Sequence, residues 1–146
     1  MIMKIKRLVV DWLRKRICPS QGSKLTDLQK RIYNEGERLI PGITHDMLEV
    51  ARHKSSYDFF RAIIEHDIAT VPELQGEKEI TIADFGSGVG HGCFSLSKIK
   101  NSKITGIDIS TDCLEYAKQF YAADNISYEI CDLAEYANKM PRFDYV

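Results

Sequence analysis

The sequence predicts an α/β fold, a parallel sheet covered by helices and preceded by a helical region. The prediction comes from a change of periodicity along the chain. Up to about residue 70, apolar residues recur at helical spacing; from residue 79 onward, short β-branched runs alternate with helical segments. A glycine cluster, Gly86 to Gly92, follows the first of these runs directly. Strands alternating with helices imply right-handed βαβ units and therefore parallel pairing.

Each element has a local reason. In Ile2–Ile17, the residues Ile5, Leu8, Val9, Trp12 and Leu13 fall on one side of a helix. Lys4, Arg7, Asp11, Arg14 and Lys15 fall on the other. A second helix starts at Thr26, with Gln29 as its capping-box partner, and fades near Gly36. Pro41 and Gly42 mark a turn. Thr44 is placed to cap a third helix, and Tyr57, Phe60, Ile63 and Ile64 give a fourth helix its apolar stripe. Pro72 and Gly76 make 71–79 a connector. Strands are expected at Glu79–Phe85, Lys103–Asp108 and Ile126–Cys131, with a fourth beginning at Arg142–Val146. Helices are expected at His91–Lys98, from a Ser110 or Thr111 cap to about Ala123, and at Leu133–Asn138. The domain reading is residues 1–75 as a helical region (basic amphipathic helix 2–17, further helices over 26–67) and 76–146 as a partial α/β domain.

Composition narrows the functional classes. The 146 residues are 44% hydrophobic and 28% charged, as in a water-soluble globular chain, and no apolar run nears the length of a membrane span. The net charge is −1, with no global pull toward nucleic acid. Residues 1–16 alone carry +5, so the remainder carries −6. That basic head is expected to pack on the domain, dock a partner, or lie on an anionic membrane surface. Cys18, Cys93, Cys113 and Cys131 form no C-x-x-C pair, which removes zinc-knuckle and thioredoxin spacings. Reduced thiols in a cytoplasmic protein are expected, extending at most to the inner membrane face through residues 2–17.

The chemistry concentrates in Asp84-Phe85-Gly86-Ser87-Gly88-Val89-Gly90-His91-Gly92. Glycines between a strand and a helix let backbone approach a ligand closely. The G-x-G-x-x-G dinucleotide spacing fails, because the third position is His91 or Cys93 according to the starting glycine. No G-K-[ST] follows, so the P-loop fails as well. Asp84 places a carboxylate beside the bend, which repels a pyrophosphate and attracts an ammonium or sulfonium group.

The run Asp84-x-Gly86-x-Gly88-x-Gly90 resembles motif I of the class I S-adenosylmethionine-dependent methyltransferases. The resemblance covers about Glu79–Val146. It implies a Rossmann-like sheet and S-adenosyl-L-methionine as cofactor. It further implies contacts from Asp84, Gly86, Ser87, Gly88 and Gly90 at the glycine bend. Asp108, with Ile109 beside it, is implied to meet the ribose hydroxyls. Asp132 is implied to take the adenine amino group, and Leu133 to offer a backbone N–H to the ring. The helix-capping alternative stands for Asp108 and Asp132 alike. Gly36-Glu37-Arg38-Leu39-Ile40-Pro41, with His53 and Tyr57, is similar to the lead-in of bacterial methyltransferases of surface-polysaccharide and small-molecule pathways. On that likeness Glu37, Arg38, His53 and Tyr57 are candidates for cofactor or substrate contact. No metal site is expected, no catalytic residue is assigned, and His53 and His91 are conceivable bases.

The implied function is methyl transfer to a small-molecule or saccharide acceptor. A non-catalytic S-adenosylmethionine-binding or assembly module is the alternative; a NAD-dependent oxidoreductase fragment is disfavoured by Asp84 and His91. The family's sheet has seven strands, and this chain reaches Val146 inside the fourth. The expectation is a partial domain, truncated or completed by another chain. Alone it should bind cofactor weakly and turn over no substrate, and its unfinished apolar sheet invites self-association.

Overall fold

The computed structural model describes residues 26–35, 47–76, 78–138 and 142–146. The amphipathic segment 2–17, Glu37, Arg38, Thr44 and Cys18 lie outside them. The chain divides into two compact units, Met1–Met47 and Leu48–Val146.

In the first unit, α1 spans Asp27–Asn34. Its start is the predicted capping box: Gln29 N–H donates to Thr26 Oγ1 (3.2 Å) and Thr26 N–H donates to Gln29 Oε1 (3.0 Å). The helix ends with Glu35 as its cap, one residue before Gly36.

The second unit begins with α2, Met47–Thr70, a single helix of 24 residues. It replaces the separate third and fourth helices expected from Thr44 and the Tyr57 stripe. No glycine or proline interrupts it. Within it the Ser56 hydroxyl donates to the Arg52 carbonyl (3.1 Å). After a 3₁₀ turn at Pro72–Leu74 come β1 (Ile80–Phe85), α3 (His91–Leu96), β2 (Ser102–Asp108), α4 (Thr111–Phe120), β3 (Ile126–Ile130) and α5 (Leu133–Asn138). Ser110 caps α4, accepting from Cys113 N–H, as anticipated.

The strands form one parallel sheet in the order β1-β2-β3. Ile82 lies opposite Ile104, Asp84 opposite Gly106, and Ile104 opposite Ile126. Arg142–Val146, expected to begin a fourth strand, makes one parallel bridge, Tyr145 to Ile82, on the free edge of β1. There the Asp144 carboxylate accepts from Thr81 N–H and Thr81 Oγ1 (2.9 Å each), so a side chain fills a ladder position. Lys78 pairs with the same carboxylate and holds it below the usual carboxylate range.

Side-chain alternation sorts the core. Ile80 and Ile82 of β1 join Ile104, Cys93, Leu96, Ile99 and Ile64 on one face, beneath α2 and α3. Ala83 and Ile107 face the other way, against Tyr136 of α5. The chain thus crosses from one face of the sheet to the other between β3 and the Tyr145 bridge. That reversal creates a crevice at the carboxyl end of β1, where open α/β sheets bind ligands. Of the Tyr57–Ile64 stripe, Ile64 is buried, whereas Phe60 and Ile63 line an apolar pocket of about 270 Å³ with Ile82, Phe85 and Val146.

Close approach of α3 to the sheet depends on Gly106. A Cβ there would lie 2.7 Å from Cys93 Sγ and 2.8 Å from the Tyr128 ring. Gly106→Ala is expected to destabilise the chain by about 1–3 kcal/mol through overpacking. Urea unfolding measures this, and an unchanged midpoint would contradict the packing described.

Candidate cofactor site

Asp84 is the fifth residue of β1, on the Ile80–Ile82 face, and it is only 9% exposed. Its partners come from two helices. Tyr57 Oη of α2 donates to Oδ1 (2.9 Å) and lies 3.2 Å from Oδ2, and the Cys93 thiol of α3 donates to Oδ2 (3.3 Å). Burial raises the Asp84 pKa, while the Cys93 and Tyr57 hydrogen bonds and the charge of His53 pull it back down. Burial, then the neighbouring Asp84 charge, pushes the Tyr57 phenol and the Cys93 thiol upward, so both stay protonated donors at neutral pH. No ion pair to Asp84 occurs among the described residues.

The bend after β1 is built on left-handed backbone at Gly86 (φ 76°), Gly88 (φ 51°) and Gly90 (φ 82°). A side chain is disfavoured at all three by conformation. At Gly90 there is no room either, because a Cβ would meet Tyr128 Oη at 2.5 Å and Ala117 Cβ at 2.6 Å. At Gly86 the same atom would meet nothing within 4 Å, so this glycine fronts open space. The Gly86 and Ser87 N–H groups both donate to the Ile107 carbonyl (2.8 and 3.1 Å), which fastens the bend to β2. Ser87 is buried, and its Oγ has no hydrogen-bond partner among the described residues.

Asp108 ends β2 and laces the bend in place. Oδ2 accepts from Gly88 N–H and Oδ1 from Ser110 N–H, both at 2.8 Å. Two of its roughly four acceptor positions remain for a diol. Asp132, beyond β3, caps α5: Oδ1 accepts from Ala134 N–H (2.8 Å) and Glu135 N–H (3.3 Å). Ile109 (69% exposed) and Leu133 (41% exposed) flank these acids at the surface. Hydrogen bonds therefore join Asp108 directly to the glycine bend, while Asp132 and Leu133 stand at the next strand end, bonded within α5.

Sequence reasoning missed Cys93 and Tyr128 as parts of the site. The period-2 alternation of β3, with Ile126, Tyr128 and Ile130 on one face, is the signal that could have found Tyr128. Its hydroxyl donates to the Tyr121 carbonyl (3.0 Å) and reaches the Gly90 carbonyl (3.3 Å). His53 and His91 pack at 5.0 Å between ring centroids, each against Tyr57, and Nδ1 of His53 is buried without a partner.

A parallel sheet with a glycine bend after its first strand and an acid at each of three successive strand ends resembles the layout of a class I S-adenosylmethionine-dependent methyltransferase. Residues 82–146 match the family model described as a methyltransferase domain. The demethylmenaquinone methyltransferase of Chlorobaculum tepidum is 38% identical over 69 residues, 47% of this chain and 26% of that protein. The demethylmenaquinone methyltransferase of Chlorobaculum parvum is 35% identical over 72 residues, 49% of this chain and 27% of that protein. Among solved structures, a methyltransferase from Anabaena variabilis is 32% identical, with 49% of this chain and 28% of that one covered and a TM-score of 0.36. The chain thus spans about a quarter of the length of the curated relatives it matches. The α/β part of this chain is similar to part of a methyltransferase domain, over residues 82–146. No helix among the described residues is long and apolar enough to cross a membrane.

A carboxyl group whose pKa is raised on folding supports the fold while protonated. That contribution is complete below the unfolded pKa and is lost as pH rises through the folded one. Asp84→Asn is therefore expected to match wild type in acid and to melt at an equal or higher temperature at neutral pH. Thermal denaturation at pH 3.5 and pH 7.5 reads this, and a clear loss of stability at pH 7.5 would contradict the stated environment.

Proposed function

We propose that this chain is the cofactor-binding portion of an S-adenosyl-L-methionine-dependent methyltransferase acting on a small-molecule or glycan acceptor. The observation that carries this reading is Asp84, a carboxylate withdrawn from water beside a glycine bend, with two neutral hydrogen-bond donors and no ion pair among the described residues. A buried anion of that kind suits a ligand with a positive end, and it suits a pyrophosphate poorly. When bound, S-adenosylmethionine supplies an electrophilic methyl group on sulfur.

The chain's own residues bind and orient. Asp84 faces the cationic methionine end, with Gly86, Ser87, Gly88 and Gly90 giving the backbone clearance that end needs. Asp108, beside Ile109, offers its remaining lone pairs to the ribose hydroxyls. Asp132 offers acceptor capacity to the adenine amino group, and the Leu133 backbone meets the ring. Alignment of the two reactants is the principal contribution of such a site to rate.

The small-molecule acceptor draws support from the relatives, whose names give a quinone precursor as their substrate. The glycan alternative rests on the Gly36–Pro41 lead-in. The basic segment 2–17 is proposed as a contact for a partner or an anionic membrane surface on its charge pattern alone.

Isothermal calorimetry on the full chain tests the reading. Heat of binding is expected with S-adenosylmethionine and S-adenosylhomocysteine, which share the ammonium group, and none with NAD. Asp84→Asn should weaken binding at least roughly tenfold, the scale of a hydrogen bond to a charged group. Comparable heat with NAD, or an unaffected Asp84→Asn variant, would overturn the assignment.

A further inference from the structure

The phenol of Tyr57 is seated with unusual definition. Its ring lies where a side chain at residue 92 would otherwise be: a Cβ on Gly92 would stand 2.1 Å from Tyr57 Cζ and 2.5 Å from its hydroxyl. The His53 and His91 rings flank it at 5.3 and 5.5 Å. From this slot the hydroxyl reaches both Asp84 oxygens. The groups facing Asp84 are Tyr57 and His53 from α2, Cys93 from α3, Asp108 from β2 and, more distantly, Tyr128 from β3. Of these, the hydroxyl and the thiol are its hydrogen-bond donors, and the thiol is the weaker.

We propose that Tyr57 is a positioning residue for the cofactor, acting through Asp84: its hydroxyl holds the carboxylate in one orientation and so ties the seating of α2 to occupancy of the strand-end crevice. The proposal rests on the reading that Asp84 meets the positive end of S-adenosylmethionine. It assigns Tyr57 a task different from direct contact with cofactor or acceptor. Without the hydroxyl, the buried carboxylate keeps only the thiol. It then gains rotamer freedom and holds its proton more tightly, and both changes weaken its grip on a cation.

Tyr57→Phe keeps the ring that fills the Gly92 slot, so the full-length variant should retain the fold; its melting curve checks this. Two readouts separate positioning from packing. The first is the carbon-13 titration of the Asp84 carboxyl without ligand, whose midpoint should move to higher pH in Tyr57→Phe. The second is calorimetric affinity for S-adenosylmethionine across pH. The variant should bind roughly tenfold more weakly at neutral pH, and its acid limb should move toward neutrality. Solvent exchange of the Tyr57 hydroxyl proton in wild type supplies a measurement that needs no variant. Slow exchange is expected, and fast exchange contradicts the clamp.

An unchanged midpoint and affinity, with Asp84→Asn still deficient, would overturn the positioning role and leave the cofactor assignment standing. Tighter binding by Tyr57→Phe would also overturn it, because the hydroxyl would then be competing with the ligand. Absence of S-adenosylmethionine binding by wild type would overturn both.

Discussion

A carboxylate taken nine-tenths out of water requires its surroundings to be arranged for it, and Asp84 sets that demand at the end of β1. Burial works against its charge, and two hydrogen bonds from α2 and α3 work for it. Meeting the demand constrains the neighbouring backbone. Gly92 must lack a side chain so that Tyr57 can reach the carboxylate, and Gly106 must lack one so that Cys93 can. The glycines outside the bend are therefore explained by the carboxylate as much as by the cofactor. A protein without a ligand to serve has little physical reason to maintain such an arrangement, since an apolar residue at position 84 would fit the same core at lower cost.

The three strand-end acids have separate structural duties. Asp84 is internal and joins α2 to the sheet. Asp108 is half-buried and shapes the bend by holding Gly88 N–H, while Asp132 is exposed and caps α5. The capping alternatives considered for Asp108 and Asp132 are thus realised in part. They do not compete with ligand binding, because a carboxylate accepts more hydrogen bonds than either backbone arrangement uses. Structural and ligand-directed duties can share one side chain, with the structural bond fixing the orientation in which the other is performed.

Most of the sheet was legible because its signals are local. Residues 80–85, 102–108 and 126–130 are strands within a residue of the expected bounds, and Thr26 and Ser110 cap as their side-chain chemistry requires. The misjudged element is the pair of helices expected from Thr44 and the Tyr57 stripe, which is one helix, α2, with Ser56 satisfying its hydroxyl on its own turn. Arg142–Val146 begins its pairing on β1 through Tyr145, with the Asp144 side chain accepting from Thr81 N–H. The position of Asp84 at the end of β1, beside the glycine bend, was readable from the D-x-G-x-G-x-G spacing. Its burial was not, because that depends on Tyr57, 27 residues upstream, and no local pattern encodes that contact.

On the proposed function, one cradle, formed by the carboxyl ends of three parallel strands and organised around Asp84, receives the adenosyl cofactor. Amide chemical-shift mapping by nitrogen-15 NMR during titration with S-adenosylmethionine tests it most directly. The largest shifts are expected on Gly86–Gly90, Ile109 and Leu133, with the Tyr57 region of α2 moving in concert. Shifts confined to other surfaces, or a bend left unperturbed at saturating ligand, would contradict it.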